Sequence, residues 1–252
     1  MLRLGGLKKL KFQHRVKNGL ELKRTYLMCR AHKTNKGLRK IYSNKKQRVL
    51  FCACLFVFIS LPNIAMAGLF GYQEKERKNL KMFPQWLSVL ERNVKQRAAG
   101  DVCEAQNQQA CQIKNWLNYL QSIRHLPKMQ QVNKVNRYAN QHDYILDIDN
   151  YGLEDYWATP QEFLYNNGDC EDFAITKMLS LKILGFNMQG IRLVVLQDTN
   201  LRIAHAVLAV NTNNDILIMD NQVDDVISHK HIVHYVPVYA LNEKKWWMFL
   251  PQ

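Results

Sequence analysis

The sequence of 252 residues lacks an apolar run long enough to cross a membrane, and most of it lacks an excess of basic charge. The formal charge is +14, but residues 1–67 hold 16 Lys/Arg and a single acidic residue, Glu21. Residues 68–252 hold the other 19 Lys/Arg against 20 Asp/Glu, which is a formal charge of −1. A nucleic-acid-binding domain carries its basic patch on the folded part. We therefore expect no nucleic-acid partner.

The basic segment ends in a pattern that is typical of a secretory signal. Arg48 is followed by an apolar stretch, residues 49–61, and then by Ala-Met-Ala at residues 65–67. A positive region, an apolar region of about a dozen residues and an A-x-A site are the three parts of a signal peptide. The apolar stretch is shorter than the roughly 20 residues that span a bilayer as a helix. The sequence therefore predicts export.

Export sets the predicted domain boundary. Residues 1–67 are expected to be a basic leader that is removed, and residues 68–252 are expected to form one domain. Met28 gives a leader of more ordinary length, so a misplaced start codon is one explanation of residues 1–27. The alternative is a leader that stays uncleaved and anchors the protein to the membrane.

Few cysteines remain once the leader is removed: Cys103, Cys111 and Cys170. In an oxidising compartment Cys103 and Cys111 can close a small disulfide loop, and we predict that they do. Cys170 is then unpaired, and an odd thiol in an exported protein is a candidate reactive group. A buried, unreactive thiol is the alternative, because free cysteine often behaves as a small hydrophobic residue.

Apolar periodicity divides the domain into a helical half and a strand half. Helical spacing predicts helices over residues 83–97, 108–124, from Pro127 onward, 160–166 and 169–185. Thr159 and Pro160 form an N-cap and N1 pair, and Gly185 suits the position after a helix. Short apolar runs predict strands over residues 191–197, 204–210, 215–220, 234–241 and 245–250. Helices followed by an antiparallel meander indicate an α+β domain in which the helix of Cys170 packs against the sheet.

Three residues have the types and the order of a nucleophilic catalytic triad. Cys170 follows a Gly-Asp turn at the start of an apolar helix, where the helix N-terminus favours a thiolate. His205 begins one predicted strand, and Asp220 ends the next. If residues 211–214 form a hairpin loop, the imidazole and the carboxylate are neighbours at one edge of the sheet. The sequence thus predicts a papain-like arrangement of Cys170, His205 and Asp220.

Three acidic residues crowd Cys170, namely Asp169, Glu171 and Asp172. Negative charge next to a thiol raises the thiol pKa and disfavours the thiolate. Helix capping explains one or two of these acids without any ligand. Three carboxylates around a nucleophile are better explained by a hard cation that neutralises them, and calcium suits oxygen ligands in flexible geometry. Helix capping and a calcium site are both open at this point.

Four runs of residues resemble one family, the bacterial transglutaminase-like cysteine proteinases. They are residues 140–186, with DYWATPQEFL and GDCED, residues 204–210 (AHAVLAV), residues 216–222 (ILIMDNQ) and residues 235–247, with a double tryptophan. The resemblance covers roughly residues 70–250 and is greatest to periplasmic members that release large adhesins from the cell surface. It implies a papain- or transglutaminase-like α+β fold and a periplasmic location.

The resemblance also implies a role for each candidate residue. Cys170 is the implied nucleophile, His205 the base and Asp220 the residue that orients the base, while the three acids beside Cys170 bind calcium that activity requires. The implied substrate is the N-terminal region of a large surface adhesin, cut next to paired alanines, so that biofilm disperses. The implied regulator is an inner-membrane cyclic-di-GMP receptor that sequesters the protease.

Two other classes of function use the same residues. A transglutaminase or an amidase has the same triad, and the sequence does not distinguish an amine acceptor from water. A non-catalytic calcium-binding module would use the acids alone to dock a partner. The presence of Cys170, His205 and Asp220 together favours an enzyme over such a module.

Overall fold

The computed structural model describes residues 68–98 and 108–251. The leader predicted over residues 1–67, with its cleavage site and its start codon, lies outside the described residues. Within the described ranges, no helix is both long and apolar enough to cross a membrane.

The cysteines of the described residues differ in state. Cys111 is disulfide-bonded, whereas Cys170 is a free thiol. Cys103 lies outside the described residues, so its pairing with Cys111 stays a prediction. The expectation that Cys170 is unpaired is confirmed.

Six helices, labelled α1 to α6 in chain order, lie in the described part of the chain. They are Pro84–Ala98, Gln108–Ile123, Lys128–Ala139, Asp147–Asn150, Pro160–Asn166 and Cys170–Ile183. α5 begins where predicted because Thr159 and Glu162 form a capping box, in which each side chain accepts the backbone N–H of the other residue. α6 ends just before Gly185, whose φ of +79° is a left-handed conformation that glycine adopts without strain.

Seven strands of the described residues form one antiparallel sheet. They are Gln73–Arg77 (β1), Ile191–Asp198 (β2), Ile203–Asn211 (β3), Ile216–Met219 (β4), Ile227–Ser228 (β5), Tyr235–Leu241 (β6) and Trp246–Leu250 (β7). The order across the sheet is β1-β7-β6-β2-β3-β4-β5. The predicted meander holds from β2 to β4 and again between β6 and β7, but β6 crosses the sheet to pair with β2. The sequence did not predict β1 or β5. β2 pairs with β3 on one side and β6 on the other, and it is buried along most of its length because a core packs on each face of the sheet.

α6 is the central helix of the domain. Every residue of α6 from Glu171 to Leu181 is buried, as expected for a helix that is apolar on all sides. It packs on β2 and β3, and α3 and α5 pack against it. The main core fills the space between the helices and one face of the sheet, and a smaller core covers the other face. The predicted α+β fold, with the cysteine helix on an antiparallel sheet, is confirmed.

Candidate active site

The β3–β4 hairpin brings His205 and Asp220 together. β3 and β4 are antiparallel, and the N–H of Thr212 donates to the carbonyl of Asp215 across the turn between them, at 2.8 Å. His205 is near the start of β3 and Asp220 directly follows β4. Nε2 of His205 therefore lies 3.0 Å from Oδ1 of Asp220, with both residues buried. The predicted hairpin and the predicted pairing are both present.

The Asp220 carboxylate is surrounded by hydrogen-bond donors. Besides His205, the backbone N–H of Gln222 donates to Oδ1 at 3.0 Å and the hydroxyl of Tyr235 donates to Oδ2 at 2.6 Å. Burial would raise the pKa of Asp220, but His205, Gln222 and Tyr235 outweigh burial and lower it below its ordinary value. An ionised Asp220 accepts Nε2–H, which leaves Nδ1 of His205 to exchange a proton with a nucleophile.

The Cys170 thiol lies beside the same strand. Cys170 is the first residue of α6, and Asp169 is its N-cap. The backbone N–H of Ala206, the residue after His205, lowers the pKa of the thiol, so it lies close to the sulfur. The S–H donates to Oε2 of Glu171 at 3.3 Å. The start of α6, β3 and the end of β4 thus bring together the three residues that the sequence singled out.

The pKa of the Cys170 thiol is raised well above its ordinary value. Burial is the largest cause, and the charges of Glu171 and Asp169 add to it, while the N–H of Ala206 acts in the opposite direction. The sequence predicts that the helix N-terminus lowers this pKa, but the net shift is upward. Two adjacent carboxylates outweigh the partial positive charge of about half a unit at a helix start. Neutralising those carboxylates would remove the charges that act against the thiolate.

The acids beside Cys170 belong to a larger group, which we call the acid cluster: Asp147, Asp155, Asp169, Glu171 and Asp172. Carboxylate oxygens of Asp147, Asp155 and Glu171 lie within 4.8 Å of one another, and so do those of Asp147, Asp169 and Asp172. Sequence reasoning missed Asp147 and Asp155. Both lie in the acidic, aromatic loop of residues 143–158, and the acid content of that loop was the only signal. Their spacing from Cys170 follows no helical or strand period.

Asp172 has a structural role within the acid cluster. Its Oδ1 accepts the backbone N–H of Ala158 at 2.7 Å, and its Oδ2 accepts the N–H of Asp169 at 3.3 Å. Gly168 packs tightly on this side chain, because a Cβ at that position would lie 2.9 Å from Cγ of Asp172. Asp172 therefore fixes the turn that precedes Cys170, and the capping explanation holds for this acid.

Three other members of the acid cluster, the buried Asp147 and Glu171 and the half-buried Asp169, have raised pKa values. Burial raises the pKa of Asp147 to about 6, although the N–H of Tyr156 donates to it at 2.5 Å. Burial also raises the pKa of Asp169, and burial followed by the neighbouring Asp169 raises the pKa of Glu171 well above its usual range. Oδ1 of Asp147 and Oδ1 of Asp169 are buried without a hydrogen-bond partner in the described residues. Unpartnered, crowded carboxylate oxygens fit a hard cation such as calcium.

Two aromatic hydroxyls near the triad were not predicted as site residues. Tyr235 contacts Asp220, as described above, and the Tyr144 hydroxyl lies near the Cys170 thiol, since burial and then that thiol raise the pKa of Tyr144. Tyr144 pairs with Gly168 through a parallel β-bridge, which places it next to the turn before Cys170. Both tyrosines reach the site through long-range packing, for which the sequence holds no periodic signal.

Comparison with known proteins agrees with this site. A family model described as bacterial transglutaminase-like cysteine proteinase matches residues 97–252. Among solved structures, the chain is similar to Legionella pneumophila LapG, with 28% identity and a TM-score of 0.52, over 63% of this chain and 87% of that chain. EGTA-treated and calcium-bound forms of that LapG match at 28% and 29% identity with TM-scores of 0.52 and 0.51, each over 63% of this chain and over 84% and 87% of theirs. No curated protein matches the chain.

Proposed function

This chain belongs to the bacterial transglutaminase-like cysteine proteinases, and we propose that it hydrolyses peptide bonds with Cys170, His205 and Asp220 as its catalytic triad. One observation carries the proposal. Nε2 of His205 lies 3.0 Å from Oδ1 of Asp220, and the N–H of Ala206, the next residue of the same strand, acts on the Cys170 thiol. Nucleophile, base and orienting acid are thus adjacent in the order that papain-like catalysis requires.

The proposed reaction follows from these positions. Nδ1 of His205 takes the thiol proton while the sulfur of Cys170 attacks the scissile carbonyl carbon. A C–S bond forms, and the carbonyl electron pair moves to oxygen. The N–H of Cys170 has no acceptor within the helix because it opens α6, so it is free to donate to that oxyanion.

Three further proton transfers complete the turnover. His205 returns its proton to the leaving amine as the C–N bond breaks, which leaves an acyl-enzyme on Cys170. His205 then takes a proton from water, which attacks the thioester carbonyl carbon. The C–S bond breaks, the acid is released, and His205 returns its proton to the sulfur of Cys170. Asp220 holds the imidazole in its working tautomer and stabilises the imidazolium in both halves.

We also propose that activity requires calcium bound in the acid cluster. Asp147, Asp169 and Glu171 would hold the ion, with Asp155 at its exposed side. Asp172, which the sequence also predicts as a ligand, has a carboxylate oxygen within 4.8 Å of those of Asp147 and Asp169 and would be a further ligand. Two findings support this: the unpartnered oxygens of Asp147 and Asp169, and the existence of a calcium-bound LapG among similar structures. When bound, calcium supplies positive charge next to the thiol and cancels the carboxylate charges that raise the pKa of Cys170.

The proposed substrate is the N-terminal region of a large surface adhesin, and its release would promote biofilm dispersal. The proposed regulator is an inner-membrane cyclic-di-GMP receptor that sequesters the protease, and the proposed location is the periplasm. The motif resemblance over residues 140–247 supports the substrate and the regulator. The signal-like pattern before Gly68 supports the location.

The decisive experiment incubates the protein with an adhesin N-terminal fragment and calcium, and reads the products by mass spectrometry. Two peptides whose summed mass exceeds the substrate by one water support a protease. Amine-tagged or cross-linked glutamine would instead identify a transglutaminase. Cleavage that persists undiminished in the Cys170→Ala variant would overturn the mechanism.

Regulation and export have separate tests. Adding the periplasmic domain of the receptor to the same assay should suppress cleavage, and an unchanged rate would remove the receptor from the proposal. N-terminal sequencing of the active protein should start at or near Gly68. An intact leader on active protein would favour the anchored alternative.

A further inference from the structure

A lysine is buried in the core behind the proposed triad. Lys177 lies on α6, seven residues after Cys170, and it is 0% exposed. Its Nζ has no hydrogen-bond partner within the described residues. A buried ammonium group costs free energy unless nearby charges or dipoles compensate it. The proposed reaction does not use Lys177, so its presence in the core needs another explanation.

The side chain of Lys177 points back toward the active-site end of α6. Its Nζ lies 5.8 Å from the centre of the Phe173 ring, one helical turn closer to Cys170. This direction agrees with the tilt of helical side chains toward the helix N-terminus. The carboxylates that act on the ammonium group are Asp220 first and Asp224 second. The charge of Lys177 therefore faces the loop that follows β4.

Two asparagines hold the same loop, residues 220–224, from the other side. Asn136 lies on α3, and Asn140 directly follows α3. Nδ2 of Asn136 donates to the carbonyls of Val223 and Asp224, at 3.1 and 3.0 Å. Nδ2 of Asn140 donates to the carbonyl of Asp220 at 3.0 Å. Neutral amides thus fix the backbone of this loop, and Lys177 is the cation that faces its carboxylates.

We propose that Lys177 is a positioning residue, whose buried ammonium group anchors the loop after β4 and so holds the Asp220 carboxylate against His205. This inference rests on the proposed triad. His205, Gln222 and Tyr235 contact Asp220 directly and act on it most strongly, so Lys177 is a more distant counter-charge. It is the counter-charge that α6 itself provides, and α6 also carries Cys170.

The titration of Lys177 is compatible with this role. Burial lowers its pKa to about 7, while Asp220 and Asp224 act in the opposite direction. The side chain therefore keeps a substantial fraction of its charge at neutral pH. Without the two carboxylates, burial alone would remove more of that charge.

The test compares Lys177→Met with the wild-type protein. Methionine fills a similar volume without the charge, so stability should be equal or higher. Thr176→Val is the matched control, because Thr176 is also buried on α6 with an unpartnered side-chain oxygen. Each protein, saturated with calcium, is examined by its unfolding midpoint and by the low-field NMR resonance of the proton that His205 donates to Asp220. The rate of Cys170 alkylation by iodoacetamide, and kcat and KM on the adhesin fragment, complete the set.

We expect Lys177→Met to shift or broaden the low-field resonance and to lower both kcat and the alkylation rate by about ten- to a hundred-fold. KM should change by less than about two-fold, because the substrate contacts stay in place. Thr176→Val should match the wild type throughout. A folded Lys177→Met variant with an unchanged resonance and alkylation rate would overturn the proposal.

The resonance and the alkylation rate need no substrate, so they decide the role of Lys177 even if the adhesin fragment is not cut. That result would count against the proposed substrate and leave this inference standing. If Lys177→Met does not fold, Lys177→Gln provides the same comparison, because glutamine removes the charge but keeps a polar group in the core.

Discussion

The carboxylate of Asp220 and the carboxylates of the acid cluster have opposite environments. Asp220 is surrounded by donors, and its pKa is lowered. The buried members of the acid cluster face one another, and their pKa values are raised. Both groups are largely withdrawn from solvent, so burial alone does not explain the difference. What differs is how many hydrogen-bond donors the chain supplies.

The difference divides the site into two parts, the His205–Asp220 pair and the acid cluster beside Cys170. The His205–Asp220 pair is assembled by the fold itself and needs nothing added. The acid cluster is assembled but left with uncompensated charge, which raises the pKa of the neighbouring Cys170 thiol. We therefore expect that His205 is correctly oriented without a cation, whereas Cys170 becomes reactive only when a cation binds. The following variants separate the two halves.

Loss of the nucleophile or of the base should have the largest effect. Cys170→Ala and His205→Ala should each lower kcat by about 10⁴-fold or more, because each residue takes part in bond making or proton transfer. The double variant should lose little more than either single variant. His231→Ala, at an exposed histidine, is the control for histidine removal. Additive losses in the double variant would show that the two residues do not act as one unit.

Asp220→Asn should have the next largest effect, with kcat lower by about 10³-fold. The amide reproduces the shape of the carboxylate but neither its charge nor its preference for the correct imidazole tautomer. Added calcium should not restore activity, since the defect lies in the half of the site that needs no ion. Asp225→Asn, at an exposed aspartate near Arg137, is the matched control. Rescue of Asp220→Asn by calcium would contradict the proposal that the His205–Asp220 pair needs no cation.

Calcium removal should lower activity by roughly 100-fold, since the carboxylates again disfavour the thiolate. Asp169→Asn and Glu171→Gln should each raise the calcium concentration needed for half-maximal activity and lower the activity itself, while the domain stays folded. Asp149→Asn, an exposed acid of α4, should behave as the wild type. The measurement is the cleavage rate against free calcium in EGTA buffers. Full activity in excess EGTA would refute the cation requirement.

Local patterns were enough to predict the His205–Asp220 half of the site. The polar residues 211–214 indicate a hairpin loop between two apolar runs, and a hairpin fixes which residues face each other across its strands. Thr159 and Gly185 likewise mark helix ends through backbone chemistry that acts within a few residues. Such signals are local, so they are visible in the sequence.

The acid cluster and the sheet order depend on contacts between distant segments. Asp147 reaches Asp169 and Asp172 only because the segment before α5 folds back over the start of α6. β1 has the sequence QEKER, which shows no apolar alternation, because it is a polar edge strand. β5 is only two residues long. β6 pairs with β2 across the sheet. This pairing joins distant segments, so no short window of sequence shows it.

Stability against pH distinguishes the two groups of carboxylates without any substrate. A carboxyl whose pKa is raised by folding contributes stability at low pH and loses it as the pH rises through the folded value. For Asp147, raised from 3.8 to about 6, the Tm of the calcium-free protein should fall between about pH 4 and pH 6. Asp220 has a lowered pKa, so its stabilisation is lost only as the pH falls below about 4, outside that window.

Calcium should reverse this fall. At neutral pH saturating calcium should raise the Tm by about 5 °C, and at pH 4 by much less, because protons then occupy the carboxylates. Asp147→Asn should flatten the calcium-free profile and reduce the calcium effect. The measurement is thermal unfolding from pH 4 to pH 7 with and without the ion. A calcium-free Tm that rises steadily across this window would contradict the raised pKa values of the acid cluster.

The smallest expected effect tests whether the two groups of carboxylates are independent. Tyr235→Phe removes the donor that lies 2.6 Å from Oδ2 of Asp220, at a cost of about 1–2 kcal/mol in stability. His205 and Gln222 still hold Oδ1, so kcat should fall only about three- to ten-fold. With one donor fewer, the pKa of Asp220 should rise, and activity should be lost at a higher pH on acidification. The calcium midpoint should stay where it is, as it should in the control Tyr165→Phe, which removes an exposed hydroxyl. A shifted calcium midpoint with an unchanged kcat would show that the charge of Asp220 is coupled to the acid cluster. The proposal of a preformed base beside a separate, cation-dependent nucleophile would then be wrong.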